Sequence, residues 1–139
     1  MRRGRVRFMQ LTGNGRSASS QGREEGLVDL TRRQKGSVAV LDLRGKLTLT
    51  DGATDLKRTM GKMLDEGCRD ILINLDWVPH VDSAGVGALV ACHTMASEVE
   101  GRIKLLNPSR KVSDMLRITK LASVFELHRD EEEALRSFR

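Results

Sequence analysis

Aromatic residues are scarce in this chain: they make up 3% of its 139 residues, and tyrosine is absent. Since 39% of the residues are hydrophobic, a core must be built mainly from aliphatic side chains. No apolar run approaches the roughly 20 residues of a membrane-spanning helix, and no apolar segment of a signal peptide follows the N-terminal arginines. These features favour a soluble cytoplasmic protein of one domain.

Cysteine is also rare, and Cys68 and Cys92 lie far apart in no paired motif. Their spacing argues against a disulfide scaffold and against a structural zinc site. His80 and His93 do not complete a common metal-ligand pattern. The glycines match neither of the common phosphate-binding loop patterns. The sequence therefore predicts no metal and no cofactor.

Positive charge is concentrated in the first 25 residues. Six arginines and two glutamates there account for +4 of the formal net charge of +5. Because residues 1–25 hold few aliphatics, we interpret them as a basic, disordered tail and residues 26–139 as the folded domain. The domain is almost neutral and poor in aromatics, so no specific nucleic-acid binding is predicted. The even charge of the domain and the short chain favour a monomer or a weak dimer.

Hydrophobic periodicity predicts the element order β-β-α-β-α-β-α-β-α. Strands are expected over 27–34, 37–43, 70–75, 103–106 and 124–127, and helices over 53–64 and 86–99. Two further helices are expected to begin at N-caps, Asn107 followed by Pro108, and Asp130. This order indicates an α/β fold with a mixed, mostly parallel sheet of about five strands and about four helices packed on it.

The tetrapeptide Asp82-Ser83-Ala84-Gly85 lies between the third strand and the second helix. A helix N-terminus leaves backbone N–H groups unsatisfied and carries the positive end of the helix dipole. Such a position suits an anion, including a phosphate attached to Ser83. We therefore predict that Ser83 is a phosphorylated switch residue and that, unmodified, it caps the helix. Capping alone, without modification, is the structural alternative.

Several segments, in this order and at these intervals, resemble the STAS domain and more narrowly the bacterial anti-sigma factor antagonists. They are Leu43–Leu47, Ile71–Leu75, Val81–Leu89, Gly101–Pro108, Leu116–Leu121, Phe125 and Glu133–Leu135. The resemblance covers residues 27–138 and implies one STAS-type domain.

The resemblance also implies a non-enzymatic regulator that works by partner switching. In that family the unphosphorylated antagonist binds an anti-sigma factor, typically a serine kinase, and so frees a sigma factor. The kinase phosphorylates the serine that follows the aspartate, here Ser83, and the complex separates. A metal-dependent serine phosphatase resets the antagonist.

The partner surface implied by the resemblance comprises Asp82, Ser83, Ala84, Gly85 and Gly87, together with Thr48 and Asp51. We expect the two glycines to allow close backbone approach, although helix packing explains them equally. Many antagonists carry Gly-Glu-Leu-Asp after the second strand, whereas this chain reads Gly45-Lys46-Leu47-Thr48. The missing acidic side chains leave the identity of the partner open.

Two alternatives remain at this point. One is a STAS interaction subunit of another assembly, such as a stressosome-like scaffold or the soluble partner of a membrane transporter. The other is a small hydrolase, because Ser83, Asp114 and His128 follow the chain order of an α/β-hydrolase triad. Val81 stands where the nucleophile elbow requires its first glycine, which argues against the hydrolase.

Overall fold

The computed structural model describes residues 28–139, and the predicted tail of residues 1–25 lies outside this range. Five strands and four helices follow one another within it. They are β1 (Asp29–Lys35), β2 (Val38–Arg44), α1 (Ala53–Asp65), β3 (Asp70–Trp77), α2 (Ser83–Glu98), β4 (Arg102–Leu106), α3 (Arg110–Ile118), β5 (Glu126–His128) and α4 (Glu131–Arg136). The predicted element order is confirmed.

The five strands form one sheet in the order β1-β2-β3-β4-β5. The β1–β2 pair is antiparallel, and the remaining three pairs are parallel. The hairpin between β1 and β2 turns at Gly36, which has a φ of 61°. The predicted α/β class with a mixed, mostly parallel sheet is therefore confirmed.

The sheet is covered on both faces, and β2 shows the alternation that this requires. Ala39, Leu41 and Leu43 belong to the main core, which also contains the buried residues of α1, α2 and α3. Val38 and Val40 point the other way, into a smaller cluster that includes α4 residues. The nearly continuous apolar run in β3 has the same explanation, because both of its faces are buried.

A polar network lies on the face that α4 covers. The Asp42 carboxylate is buried and accepts hydrogen bonds from Arg33 Nε at 2.6 Å and Nη2 at 2.9 Å. Asn74 Nδ2 donates to the same carboxylate at 2.8 Å. Arg33 also reaches Glu131 of α4 at 2.7 Å, so one guanidinium joins β1, β2 and α4. A buried carboxylate is tolerated here because it is paired and fully hydrogen-bonded.

The residues that follow α4 are held by cations from β4. Lys104 is only 8% exposed, and its Nζ donates to the Ser137 carbonyl oxygen at 2.8 Å and to Ser137 Oγ at 2.9 Å. Arg102 Nη2 donates to the Phe138 carbonyl oxygen. Lys104 Nζ also lies 4.7 Å from the centroid of the Phe138 ring. Residues 137 and 138 are thus held firmly against the sheet, and Phe138 belongs to the smaller apolar cluster on the face that α4 covers.

The predicted start of α3 is wrong. The N-cap is Ser109, whose Oγ accepts a hydrogen bond from Val112 N at 3.2 Å, and not Asn107. Asn107 instead has a φ of 53°, and its N–H donates to the His128 carbonyl oxygen at 2.8 Å. The sheet contact to β5 holds Asn107 outside the helix, and the cap passes to the next residue with a suitable side chain.

The last strand is also displaced from its predicted position over 124–127. The N–H groups of Val124 and Phe125 both donate to the Leu121 carbonyl oxygen, so these residues belong to the turn after α3. The apolar pattern of this segment arises because Phe125 is buried in the main core, while Val124 is 41% exposed.

Helices α1, α2 and α3 end in the same hydrogen-bond arrangement, the Schellman motif. The residue after the C-cap, the C′ position, is Gly67 in α1, Glu100 in α2 and Lys120 in α3, and each has a positive φ. In each helix the following N–H reaches back to a carbonyl five residues earlier. The sequence suggested that α2 ends near Gly101, but the residue in the left-handed conformation is Glu100.

Candidate functional site

The candidate site is formed by two loops at the carboxyl ends of β2 and β3. Leu47 N donates to the His80 carbonyl oxygen at 3.0 Å, and Asp82 N donates to the Leu47 carbonyl oxygen at 3.3 Å. Gly45 N donates to the Trp77 carbonyl oxygen at 3.0 Å. These bonds continue the β2–β3 pairing beyond the sheet. The loop after β2 is therefore fixed against the start of α2.

Asp82 is the N-cap of α2. Its Oδ1 accepts from Gly85 N at 2.9 Å, and its Oδ2 accepts from Leu49 N at 3.1 Å. The hydrogen bond from Gly85 N is the largest cause of a lowered pKa for this carboxyl group. The N–H groups of Leu49 and Ala84 and the charge of His80 act in the same direction, whereas burial opposes them. The carboxylate is thus held in its charged form by backbone donors.

Ser83 is the first residue of α2, not its cap, which corrects the prediction that it caps the helix. Asp82 has the extended backbone of a cap residue, with a φ of −102° and a ψ of −174°. Because Asp82 already supplies the capping oxygen, Ser83 has no part in closing the helix end. Its side chain is exposed at the positive end of the helix dipole.

The two glycines that follow have different environments. A Cβ on Gly85 would lie 2.0 Å from the Leu47 carbonyl oxygen, so this buried glycine permits the loop and the helix to touch. A Cβ on Gly87 would meet nothing within 4 Å, and Gly87 is exposed. Ala84, which precedes Gly85, is partly buried. Gly85 therefore permits a contact within the molecule and is not accessible at the surface, whereas Gly87 is accessible.

Thr48 and Asp51 form the ends of a tight turn beside Asp82. Thr48 N donates to the Asp51 carbonyl oxygen at 2.6 Å, and Asp51 N donates to Thr48 Oγ1 at 3.1 Å. Thr48 is only 8% exposed, so its side chain stabilises the turn rather than facing solvent. Gly52 follows the turn with a φ of 87°, and a Cβ at this position would lie 2.8 Å from the Lys46 carbonyl oxygen, so glycine is required there.

The turn presents one residue that sequence reasoning missed. Leu49 is 74% exposed, although its N–H is fixed by Asp82. Trp77, at the end of β3, is 42% exposed and lies under the Arg44 guanidinium at 4.0 Å from the ring centroid. The exposure of Leu49 could have been predicted from the sequence, because a leucine within the turn-forming run Thr48–Asp51 has no strand or helix face to bury it.

The alternative chemistries find no support in this geometry. Within residues 28–139, neither Asp114 nor His128 contacts Ser83: the Asp114 carboxylate binds Arg117, and the His128 ring binds Glu126. Burial raises the pKa of the Cys92 thiol to about 12, so this cysteine is a poor nucleophile.

In residues 28–139 no three histidine, cysteine or carboxylate side chains are grouped as metal ligands would be. His93, a residue considered for such a role, packs edge-on against the Phe125 ring at 5.5 Å. None of the four described helices is long and apolar enough to cross a bilayer.

Solved structures with the same fold include an anti-sigma factor antagonist from Mycobacterium paratuberculosis, at 18% identity and a TM-score of 0.73 over 82% of this chain and 96% of that one. The Bacillus cell fate determinant SpoIIAA in its phosphorylated form matches at 23% identity and a TM-score of 0.64, over 80% and 100% of the two chains. A sulfate transporter family protein from Wolinella succinogenes matches at 16% identity and 0.66, over 74% and 85%. At these identities the likeness is one of fold.

A search of curated protein sequences finds no match to the chain. The sequence model of the STAS domain, by contrast, matches residues 29–134 and includes every strand of the sheet and both loops of the candidate site. The chain therefore belongs to the STAS domain family.

Proposed function

We propose that this protein is an anti-sigma factor antagonist, switched by phosphorylation of Ser83. Unphosphorylated, it binds an anti-sigma factor that is a serine kinase, and a sigma factor is released. Phosphorylation of Ser83 by that kinase separates the complex, and a serine phosphatase restores the binding form. The antagonist itself catalyses no reaction.

The observation that carries the proposal is the division of roles between Asp82 and Ser83. The Asp82 carboxylate satisfies the backbone N–H groups of Gly85 and Leu49. The Ser83 hydroxyl has no hydrogen-bond partner within residues 28–139, and its side chain is exposed. A modification of Ser83 therefore changes the surface without removing the helix cap.

A phosphate at this position is compatible with the folded state. It adds roughly −1.5 to −2 charges at neutral pH. The positive end of the α2 dipole favours such a charge at the first helical residue. We therefore expect the phosphorylated protein to keep the same fold and to differ only at its surface.

The same phosphate is not compatible with a partner that covers Ser83. Around Ser83 the surface offers the apolar Leu49 and the small residues Ala84 and Gly87. A partner that packs there would have to bury a dianion beside the Asp82 carboxylate. The penalty of several kcal/mol per buried charge is comparable to the roughly 8 kcal/mol that hold a micromolar complex together.

The proposal is tested by capture of binding partners from a lysate, with identification by mass spectrometry. Wild type and Ser83→Ala should retain a protein with a serine-kinase domain, and Ser83→Glu should lose it. Thr94→Glu is the matched control, because Thr94 is exposed on the same helix three turns away. The purified kinase should then phosphorylate wild type on Ser83 and leave Ser83→Ala unmodified. Equal capture by wild type and Ser83→Glu would contradict the proposal.

A STAS interaction subunit of another assembly is the second candidate. It is supported by the likeness to the Wolinella succinogenes sulfate transporter family protein. Lys46 and Thr48, which stand where many antagonists are acidic, support it as well. The same capture experiment separates the two functions: a membrane transporter or a large scaffold retained equally by wild type and Ser83→Glu would favour this candidate.

A further inference from the structure

Exposed hydrophobic side chains occur at both ends of the helical layer. Leu49 and Trp77 lie at the end that carries Ser83, whereas Val99, Ile118 and Val124 are 39%, 77% and 41% exposed at the other end. The topology places these three at the same edge of the sheet, the amino edge of the parallel strands. Helices α2 and α3 both run from the carboxyl edge of the parallel strands toward their amino edge. The edge-on packing of His93 against Phe125 places the turn after α3 next to the second half of α2.

Each helix end surrounds its apolar residue with charges of one sign. Val99 lies between Glu98 and Glu100 at the end of α2. Ile118 lies between Arg117 and Lys120 at the end of α3. We call these two segments, residues 98–100 and 117–120, the acidic end and the basic end.

The charges of these ends are largely uncompensated within the described range. The Arg117 guanidinium pairs with Asp114 on its own helix. For Glu98, Glu100 and Lys120, no ion-pair partner is found among residues 28–139. Each exposed apolar residue therefore lies near at least one charge that has no partner in the described range: Val99 beside Glu98 and Glu100, and Ile118 near Lys120.

Backbone conformation adds an independent argument. Glu100 and Lys120 both have a φ of 62°, at the C′ position that Gly67 occupies in α1. A residue with a Cβ is less stable than glycine in this conformation. Two oppositely charged side chains therefore stand where glycine is favoured, one at each end segment. Residues held in such conformations point to a role for the side chain itself.

We propose that two copies of this chain associate through the acidic and basic ends. In this arrangement Ile118 of one copy packs against Val99 of the other, and Lys120 of one copy faces Glu100 of the other. A two-fold axis makes both contacts twice and leaves no open end for further growth. The acidic end and the basic end carry opposite charges, and each exposes an apolar residue. Because both ends occur on one chain, a second copy provides the opposite charge and the apolar contact for each of them.

The association leaves the Ser83 sites free. They lie at the opposite end of the helical layer in each copy, so the dimer presents two of them. The proposal does not rest on the proposed regulatory function. Few residues are involved, so we expect a weak, concentration-dependent dimer rather than an obligate one.

The test is sedimentation equilibrium of the full chain from about 1 to about 200 µM, a range that covers small transient interfaces. Wild type should pass from monomer to dimer. Lys120→Glu and Glu100→Lys should each weaken the dimer at least about tenfold, because each places like charges opposite each other. The double variant Glu100→Lys/Lys120→Glu should restore the wild-type dissociation constant to within about threefold.

Ile118→Ser and Leu49→Ser form a matched pair, because the two side chains are 77% and 74% exposed at opposite ends of the layer. Only Ile118→Ser should abolish the dimer. Circular dichroism would verify that each variant is folded. A wild-type protein that stays monomeric throughout, or a double variant no better than the single ones, would overturn the proposal.

Discussion

Asp82 accepts a hydrogen bond from the backbone N–H of Leu49 at 3.1 Å, across 33 residues of sequence. The other oxygen of the same carboxylate caps α2 through Gly85 N at 2.9 Å. One side chain therefore fixes both the helix that carries Ser83 and the turn that exposes Leu49. The geometry of the candidate site depends on this carboxylate.

Replacing Asp82 by alanine should destabilise the fold by about 2 kcal/mol, since it removes a helix cap and a further backbone hydrogen bond. Asp130→Ala provides the comparison, because Asp130 caps α4 through Glu133 N alone. It should cost about 1 kcal/mol. Urea unfolding at neutral pH measures both values, and equal losses would show that the bond to Leu49 contributes nothing.

The stabilising effect of the Asp82 charge should depend on pH. Its pKa is lowered in the folded state, so its contribution is fully present above the pKa of the unfolded chain, near 3.8. The contribution is lost as the pH falls through the folded-state value. The difference in unfolding free energy between wild type and Asp82→Asn should therefore be constant at neutral pH and shrink below about pH 4. A difference that is independent of pH would contradict the role of the carboxylate charge.

The two glycines of α2 should respond oppositely to alanine. In Gly85→Ala the new Cβ would lie 2.0 Å from the Leu47 carbonyl oxygen, and the loop and helix would have to separate. We expect a loss of about 3 kcal/mol. Gly87→Ala adds a methyl group in open space and should stabilise the helix by about 0.5–1 kcal/mol. Thermal unfolding of the pair tests both signs, and similar melting temperatures would refute the close approach at Gly85.

The three helix ends give a further set of variants. Lys120→Gly and Glu100→Gly should each stabilise the monomer by about 1 kcal/mol, because glycine adopts a positive φ freely. Gly67→Ala should destabilise it by a similar amount, since Gly67 has a φ of 99° and no neighbour that a Cβ would strike. Denaturation at low protein concentration measures the monomer. Lys120→Gly and Glu100→Gly should at the same time dimerise more weakly than wild type. A gain in monomer stability together with a loss of dimer affinity is not expected from helix propensity alone.

The fold was largely predictable because its signals are local. The alternation in β2 and the continuous apolar run in β3 correspond directly to burial on one or both faces. The start of α3 was not predictable, because Asn107 and Ser109 are equally good caps and the choice depends on the contact of Asn107 with β5. Sequence periodicity does not report such distant contacts.

The site shows the same limit at closer range. Asp82 and Ser83 are both suitable caps. The hydrogen bond from Leu49 N to Asp82 helps to distinguish them, and it joins residues that are 33 positions apart in the sequence. The position of Ser83 at the start of α2 was nevertheless evident from the strand-to-helix change around it. Gly85 was expected to allow close backbone approach at the partner surface or in helix packing, and the structure identifies the Leu47 carbonyl of the same chain as the group that lies against it.

The bonds from Lys104 to residue 137 have a consequence for how the chain acquires its fold during synthesis. The Lys104 ammonium is buried, and two of its hydrogen-bond acceptors are provided by Ser137. A nascent chain that has emerged from the ribosome only as far as β5 therefore exposes the apolar residues beneath α4 and leaves this ammonium without those acceptors. We infer that folding is completed only once residues 137 and 138 have left the exit tunnel, and that chains which have not reached that point are exposed to chaperones and proteases.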